Sequence, residues 1–104
     1  MGMSHKRCVE IFKGLCDENR VRILKSLQEG EKCGCTLLDE MVIAQSTLSH
    51  HMKILVESGL VEFRRDGKWT YYSLSDDGAR EAMQVLESML HKVENYETVC
   101  VCER

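Results

Sequence analysis

The chain has 104 residues, of which 43% are hydrophobic and 30% are charged, and its formal net charge is −3 at pH 7. This length allows one modest hydrophobic core, so we expect a single domain over residues 1–104 and no partitioned enzyme. The apolar runs are too short to span a membrane and the N-terminus MGMSHKRCVE has no apolar signal core, so we expect a cytoplasmic protein.

Two amphipathic helices are predicted before residue 31. The first covers residues 5–16 and repeats apolar side chains at helical spacing, at Cys8, Ile11, Phe12, Leu15 and Cys16. Asp17 can cap the second helix, which should begin at about Glu18 and end near Gly30. Its inward face should carry Val21, Leu24 and Leu27. A polar junction, residues 31–35, follows.

Residues 36–59 read TLLDEMVIAQSTLSHHMKILVESG and predict a helix-turn-helix. A short helix with apolar positions is followed, after only a turn's length of chain, by a longer helix. In the longer helix an apolar stripe recurs at i, i+4, i+7 and i+8, at Leu48, Met52, Leu55 and Val56. Small hydrogen-bonding residues occupy the other faces, which suits a helix that enters the DNA major groove.

The polar faces of this longer helix supply the candidate contacts to DNA. We expect the following side chains to approach base edges or phosphates: Gln45, Ser46, Thr47, Ser49, His50 and Lys53. We interpret His51 and His91 as surface or junction residues and not as metal ligands.

Residues 60–74 predict a β-hairpin directly after Gly59, which should end the recognition helix. Two β-prone runs flank Asp66-Gly67, the dipeptide that most readily supplies positive φ at both centres of a type I′ turn. The hairpin tip carries Arg64, Arg65 and Lys68. A basic hairpin behind a helix-turn-helix is a wing, placed to reach phosphate or the minor groove beside the recognition helix.

The charge balance of this region is close to neutral. Residues 45–73 contain four cations, Lys53, Arg64, Arg65 and Lys68, against three carboxylates, Glu57, Glu62 and Asp66. DNA binding must therefore rest on a few well-placed cations, doubled by dimerisation, and should weaken steeply with salt. The negative net charge supports an alternative, a winged-helix protein-interaction module that does not bind DNA.

Ser75-Asp76-Asp77 can cap a last helix with negative charge at its N-terminus. Its apolar positions follow a 3-4 spacing over four turns, at Ala79, Ala82, Met83, Leu86, Met89, Leu90 and Val93. A stripe of this length has little core to bury it in so small a domain, so we expect a second subunit to cover it. Packing against the first helix of the same chain is the alternative.

Six cysteines occur in the chain, including two C-x-C pairs, Cys33-Gly34-Cys35 and Cys100-Val101-Cys102. A disulfide scaffold requires a secretory context, of which the sequence gives no sign. In a reducing compartment, paired thiols at this spacing indicate binding of a soft metal or redox chemistry. We interpret Cys8 and Cys16, which fall on apolar positions of the first helix, as buried small residues.

The spacing of Cys33 and Cys35 also predicts how ligand binding could affect DNA binding. On an ideal helix a C-x-C spacing sets the two side chains about 200° apart, so both could bind one ion only if the helix start became distorted. Gly34 makes such a distortion less costly, and the distorted turn would lead into the segment that positions the recognition helix. The alternative is that both cysteines are merely small apolar residues.

Three stretches, in order, resemble the ArsR/SmtB family of metal-responsive winged-helix repressors. LCDENRVRILKSL is similar to the second helix of the family, STLSHHMKILVESGLV to its recognition helix and RRDGKWTYYSLS to its wing. The resemblance covers nearly the whole chain. It implies a mainly α winged helix-turn-helix with a small β-hairpin, in the order α-α-α-α-β-β-α. It also implies a homodimer built from the first and last helices, and repression that an inducer relieves.

The resemblance implies where an inducer would bind. In arsenic- and cadmium-type members a C-x-C begins the helix before the recognition helix, and Cys33 and Cys35 match it in register. As(III), Cd(II) and Pb(II) are soft ions that prefer thiolates to oxygen ligands. Some arsenic-type members have a third cysteine where this chain has Leu38. The site therefore needs further ligands, from this subunit or another, and the candidates are Cys100, Cys102 and Cys8.

Two departures from the family pattern affect other sites. The zinc-type site of the last helix pairs a D-x-H with an H-x-x-E, and His91 and Glu94 match only the second half. Arg80 stands where the first half has histidine, so we expect no zinc there. Relatives usually begin the recognition helix with Ser followed by Pro, where this chain has Ala44 and Ser46. The missing cap costs about 1 kcal/mol unless a following residue takes its place.

These features predict a DNA-binding repressor that a thiolate-bound metal or metalloid releases from its operator. The sequence has no evident Ser/His/Asp, Cys/His or paired-carboxylate grouping and no glycine-rich phosphate loop, so we do not expect an enzyme. A cysteine-based redox or persulfide sensor is the alternative for the signal.

Overall fold

The computed structural model describes residues 4–102 of the chain. It is a mainly helical winged helix-turn-helix with a small antiparallel sheet, which confirms the predicted fold class. The described residues form five helices, α1 (His5–Lys13), α2 (Glu18–Leu27), α3 (Gly34–Met41), α4 (Gln45–Ser58) and α5 (Asp76–Leu90). They also form three strands, β1 (Lys32–Cys33), β2 (Val61–Asp66) and β3 (Trp69–Leu74). Over this part of the chain, no helix has the length and apolar content that a membrane span requires.

The core lies between α2, α3, α4 and the first residue of β2. Its buried apolar side chains are Ile23, Leu27, Leu37, Met41, Leu48, Met52, Leu55 and Val61. On α4 they follow the predicted stripe, whereas the buried face of α2 is centred on Ile23 and Leu27. Burying a side chain of this size contributes about 1.5–3 kcal/mol. The shared core therefore holds α3 and α4 together as one unit.

Most helix ends follow the predicted caps. The Asp17 carboxylate accepts hydrogen bonds from the Asn19 and Arg20 amides, at 2.8 and 3.3 Å, and starts α2. Gly59 has φ +84° and ends α4 in the left-handed conformation.

The end of α1 differs from the prediction, whereas α4 begins at the uncapped Ala44 that the sequence indicated. α1 ends at Lys13, and the chain from Gly14 to Cys16 continues as turns with i to i−3 hydrogen bonds. Cys16 is exposed as a result, so its interpretation as a buried residue is wrong. At the start of α4, Ala44 is the cap residue although it has no side-chain acceptor, and the cap does not shift to Ser46.

β3 is the central strand of the sheet, with β1 on one side and β2 on the other, and both pairs are antiparallel. β2 and β3 form the predicted hairpin. Asp66 pairs with Trp69, so the two-residue loop is Gly67-Lys68 and not Asp66-Gly67. Gly67 has φ +63°, while Lys68 lies outside the positive-φ region. Glycine at the first loop position alone is the pattern of a type II′ turn, so the predicted type I′ turn is wrong.

A tight joint connects the end of α4 to the start of α5. Gly78, in the first turn of α5, is buried against Gly59, and a Cβ added at Gly78 would overlap the Gly59 carbonyl oxygen. Arg7 of α1 bridges the joint. Its guanidinium donates to two carbonyl oxygens in the last turn of α4, at 2.9 and 3.3 Å, and pairs with the Glu81 carboxylate of α5 at 2.9 Å. Three helices therefore meet at one arginine.

The apolar stripe of α5 remains largely uncovered. Its most exposed members are Met83, Leu86, Met89 and Leu90, at 71%, 48%, 57% and 71%. α5 ends at Leu90, so Val93 lies beyond the helix. A groove of about 880 Å³, lined in part by Phe12 and Val85, runs between α1 and α5. Packing against α1 therefore buries one side of α5 and leaves the stripe exposed.

Candidate nucleic-acid interface and cysteine site

The front of α4 carries the side chains predicted to contact DNA. All of them are exposed: Gln45, Ser46, Thr47, Ser49, His50 and Lys53. The buried stripe on the opposite side of α4 packs on α2 and α3 and holds this front outward. Because Ala44 has no side-chain oxygen to accept from the first turn, the amide groups of that turn remain free to bind an anion.

His51 lies on the other side of α4 and is a junction residue, only 6% exposed. Its Nδ1 is 3.1 Å from Nη1 of Arg20, and its Nε2 is 3.9 Å from the Asp17 carboxylate. Arg20 is itself 7% exposed and donates from Nε to the Lys13 carbonyl oxygen at 3.0 Å. This cluster joins the recognition helix to the start of α2 and to the end of α1.

The three cations of the wing differ in their contacts. Arg64 donates from Nε and Nη2 to the two carboxylate oxygens of Glu31, at 2.8 and 2.7 Å. These hydrogen bonds lower the pKa of Glu31 and raise the pKa of Arg64, so both groups stay charged. Arg65 and Lys68 lie over exposed aromatic rings of the wing, 5.9 and 5.2 Å from the ring centres. Neither forms an ion pair within residues 4–102.

α4 and the wing face each other across a cleft of about 280 Å³. Lys53 from α4 and Arg65 from β2 both line this cleft, beside Ser49 and Glu57. Two cations from separate elements at one cleft can bind the same stretch of phosphate backbone. The structure therefore brings Ser49 and Lys53 of the recognition helix and Arg65 of the wing to one cleft.

Cys33 and Cys35 lie on either side of the start of α3. Cys33 is the last residue of β1 and has an extended backbone, with φ −77° and ψ 154°, while Cys35 is in the first turn of the helix. Because only Cys35 is helical, the side chains converge, and the two sulfurs are bonded as a disulfide with 5.4 Å between the Cα atoms. The prediction that the pair can converge only if the helix is distorted is therefore wrong. The angle of about 200° applies to two helical residues.

Each cysteine of this pair contacts a different part of the candidate interface. Cys33 pairs with Tyr71 of β3, so its strand is part of the wing sheet. Cys35 lines a cleft of about 320 Å³ together with three predicted DNA contacts, Gln45, Ser49 and Lys68. The cysteine pair thus lies where α3, the recognition helix and the wing meet.

β1 is anchored to the helices as well as to the wing. The Lys32 ammonium donates to Glu29 at 2.5 Å, to Ser26 of α2 at 2.7 Å and to Glu40 of α3 at 2.9 Å. The hydrogen bonds to Glu29 and Glu40 raise the pKa of Lys32. Movement of the neighbouring Cys33 therefore strains contacts to α2, to α3 and to the wing. Sequence reasoning missed this strand because two residues show no periodicity.

The other cysteines do not join Cys33 and Cys35. Cys100 and Cys102 are bonded to each other in exposed chain beyond α5, with 5.6 Å between their Cα atoms. The free cysteines, Cys8 and Cys16, line the groove between α1 and α5. Among the residues that the structure describes, no three His, Cys, Asp or Glu side chains form a group that could hold a metal ion. Cys33 and Cys35 therefore offer a soft ion two sulfurs, and its other ligands have to come from elsewhere.

The sequence, like the fold, is similar to those of known transcriptional regulators. The pattern of the bacterial regulatory proteins of the arsR family matches residues 17–62. The chain is 47% identical over 73 residues to the arsenical resistance operon repressor of Staphylococcus aureus, and the match covers 70% of each chain. The chain belongs to the ArsR family.

Two further similarities extend over more of this ArsR-family chain. It is 35% identical to a CadC homolog of Staphylococcus aureus, a cadmium resistance transcriptional regulatory protein, over 82% of this chain and 69% of that one. A solved homodimeric winged helix-turn-helix DNA-binding domain from Mycobacterium bovis, a possible ArsR-family regulator, matches with a TM-score of 0.66 and 25% identity. That match covers 96% of this chain and 99% of the other. The ArsR-family chain is thus a transcriptional regulator and not an enzyme.

Proposed function

We propose that this ArsR-family protein represses transcription at an operator in double-stranded DNA and leaves it when a thiophilic ion binds at Cys33 and Cys35. The candidate ions are As(III), Cd(II) and Pb(II). One observation carries the proposal, the convergence of the two sulfurs where α3, the recognition helix and the wing meet. The names of the arsenical and cadmium resistance relatives support this class of inducer.

In this proposal α4 enters the major groove and the wing follows the adjacent backbone. The small polar side chains of α4 approach base edges: Gln45, Ser46, Thr47, Ser49 and His50. Lys53, Arg65 and Lys68 bind phosphate, because they are exposed and have no carboxylate partner in the described part of the chain. A regulator that binds operator DNA acts in the compartment that contains the DNA, so the proposal places the protein in the cytoplasm.

Release from DNA follows from the two attachments of the cysteine pair. Coordination needs both thiols reduced and deprotonated, so ion binding releases protons. Cys33 and Cys35 then adjust their positions to share one ligand. Because Cys33 is paired to β3 and Cys35 begins α3, this adjustment changes the angle between the wing and the recognition helix. A DNA surface built from both elements cannot tolerate such a change.

A second subunit completes the proposed site and the proposed DNA-binding unit. Two sulfurs are too few for trigonal As(III) or for a four-coordinate ion, so Cys100 and Cys102 in the exposed tail supply the remaining thiolates, with Cys8 as the alternative donor. The exposed stripe of α5 supports a homodimer, as does the homodimeric relative from Mycobacterium bovis.

The test is a fluorescence anisotropy titration of the reduced protein against the DNA upstream of its own gene, with As(III), Cd(II) or Pb(II) added. We expect the double variant Cys33→Ser/Cys35→Ser to bind this DNA as the wild type does and to lose release by all three ions. Truncation after Val99 should leave DNA affinity unchanged and weaken ion affinity, because it removes only the tail thiols.

Cys16→Ser is the matched control, since Cys16 is an exposed free thiol outside the cysteine pair. This variant should respond to the ions as the wild type does. Release of the Cys33→Ser/Cys35→Ser protein at the wild-type ion concentration would show that the helix-start site is wrong.

A second candidate function is a cysteine-based redox or persulfide sensor, and the close approach of the two sulfurs in each C-x-C pair favours it. In that case two thiols of a pair give two electrons and two protons to an oxidant and form one S–S bond. Diamide or a polysulfide should then release wild-type protein from DNA in the absence of metal ions. Release by ions under strongly reducing conditions, with no response to oxidant, would reject this candidate.

A further inference from the structure

We propose that the Glu31 carboxylate binds the Arg64 guanidinium where a DNA phosphate would otherwise bind it. In the free protein, one of the three wing cations is therefore not available to DNA. This inference rests on the DNA-binding part of the proposed function and is independent of the inducer. The carboxylate of Glu31 receives two roughly parallel hydrogen bonds from Arg64, at 2.8 and 2.7 Å. Arginine binds a phosphate through the same two-point geometry, so carboxylate and phosphate compete for one guanidinium.

The register of the sheet sets the position of Arg64. Arg64 pairs with Tyr71 of the central strand, and Tyr71 also pairs with Cys33 on the other side. Residues directly opposite one another project from the same face of a sheet, so these three side chains form one row. The Arg64 guanidinium lies 4.5 Å from the centre of the Tyr71 ring. The aromatic ring therefore holds the guanidinium in this row.

Glu31 reaches this row from the cysteine strand. It lies two residues before Cys33, and alternate residues of an extended chain project to the same face. Its carboxylate therefore approaches Arg64 across the central strand. The side chains of Arg64 and Glu31 are 54% and 36% exposed, so a phosphate can reach the guanidinium and replace the carboxylate.

The other two wing cations have no carboxylate of the described chain in the place of a phosphate. Arg65 and Lys68 form no ion pair with any described carboxylate and are held only by aromatic rings. Arg64 is therefore distinguished from its neighbours by one acidic residue. Glu31 acts as a positioning residue that sets how many phosphates the wing can neutralise.

The test measures the salt dependence of binding to a random-sequence duplex and to the DNA upstream of the gene. Glu31→Gln keeps the size of the side chain and removes the charge that holds Arg64. We expect the plot of log K against log salt to become steeper by about 0.9 for each wing in contact, because each freed arginine neutralises one phosphate. Binding at low salt should tighten accordingly.

A double-mutant cycle tests whether the steeper salt dependence of Glu31→Gln comes from Arg64. Arg64→Gln alone should leave the wild-type slope unchanged, and the double variant Glu31→Gln/Arg64→Gln should return to that slope. Glu62→Gln is the matched control, because Glu62 is an exposed carboxylate on the same strand with no ion pair among residues 4–102. This control should not steepen the slope. Circular dichroism of each variant checks that it is folded. Glu31→Ala also removes the carboxylate and should steepen the slope as Glu31→Gln does.

Three results would overturn the inference. They are an unchanged slope in Glu31→Gln, weaker DNA binding by that folded variant, or a shallower slope for Arg64→Gln in the otherwise wild-type protein. The last result would mean that Arg64 already contacts phosphate. Failure of the wild-type protein to bind either DNA is a different outcome, which contradicts the proposed function and this inference together.

Discussion

At the scale of single residues, His51 shows how a neighbour fixes the state of a side chain. Arg20 can only donate hydrogen bonds, so the His51 Nδ1 that faces it at 3.1 Å must be an acceptor. An Nδ1 that accepts from Arg20 leaves Nε2, on the side of Asp17, as the donor nitrogen of the ring. This assignment follows from the hydrogen-bond partners and makes His51 part of the scaffold of α4.

Replacing His51 by leucine should destabilise the protein. The substitution keeps the apolar contacts but removes the acceptor for Arg20, a buried charged donor. The expected loss is about 1–3 kcal/mol in the free energy of unfolding, the cost of leaving such a group unsatisfied. Urea denaturation followed by circular dichroism measures it. His50→Leu, at an exposed position on the same helix, should stay within about 0.5 kcal/mol of the wild type. Equal losses in both variants would contradict this role for His51.

The interpretation of His51 as a surface or junction residue left two positions open, and the sequence contains a signal that decides between them. His51 lies three residues after Leu48 and four before Leu55, both buried, so helical periodicity places it on the inward face. Its partner Arg20 could not be predicted, because that contact depends on how α2 and α4 pack. The same holds for Glu31 and Arg64, which are 33 residues apart in the chain.

At the scale of elements, the features that depend on local chemistry were predictable. The caps at Asp17 and Ser75 and the stripe of α4 follow from residue type and spacing, and the structure contains them. β1 could not be predicted, because a two-residue strand exists only through its pairing with β3. The prediction of how Cys33 and Cys35 are arranged was wrong for a related reason. Whether Cys33 is the last residue outside the helix or the first inside it decides where its sulfur lies.

The joint between α4 and α5 requires glycine at position 78. Gly78→Ala places a methyl group on the Gly59 carbonyl oxygen. Because that oxygen belongs to the backbone, relieving the overlap requires a backbone shift that costs stability. We expect a loss of about 1–3 kcal/mol, as for other overpacked sites. Gly34→Ala is the matched control, because its added Cβ meets a Tyr72 ring carbon at 3.5 Å and the Thr70 carbonyl oxygen at 4.0 Å, both ordinary contacts. Thermal denaturation of the two variants side by side measures the difference. A Gly78→Ala protein as stable as Gly34→Ala would rule out the close contact.

At the scale of the whole molecule, the exposed stripe of α5 predicts a stable dimer. Leu86→Glu should give monomers and reduce operator affinity, because it places a charge in the middle of the apolar face that a second subunit covers. Lys92→Glu changes an exposed charge beyond the end of α5 and should leave the dimer intact. Sedimentation equilibrium measures the mass of each protein. A wild-type monomer at micromolar concentration would contradict the predicted dimer.

The joint at Gly78 also leaves the two recognition helices of such a dimer little freedom to change their separation. Arg7 connects the last turn of each α4 to its own α5, so each recognition helix is carried on a short, rigid arm. Helix-turn-helix dimers reach successive major grooves about 34–36 Å apart, one turn of about 10.5 base pairs. One inserted base pair between the half-sites rotates one of them by roughly a tenth of a turn, which a rigid arm cannot follow. We therefore expect the spacing of the operator to depend on the α4–α5 joint, and its base sequence to depend on the front of α4.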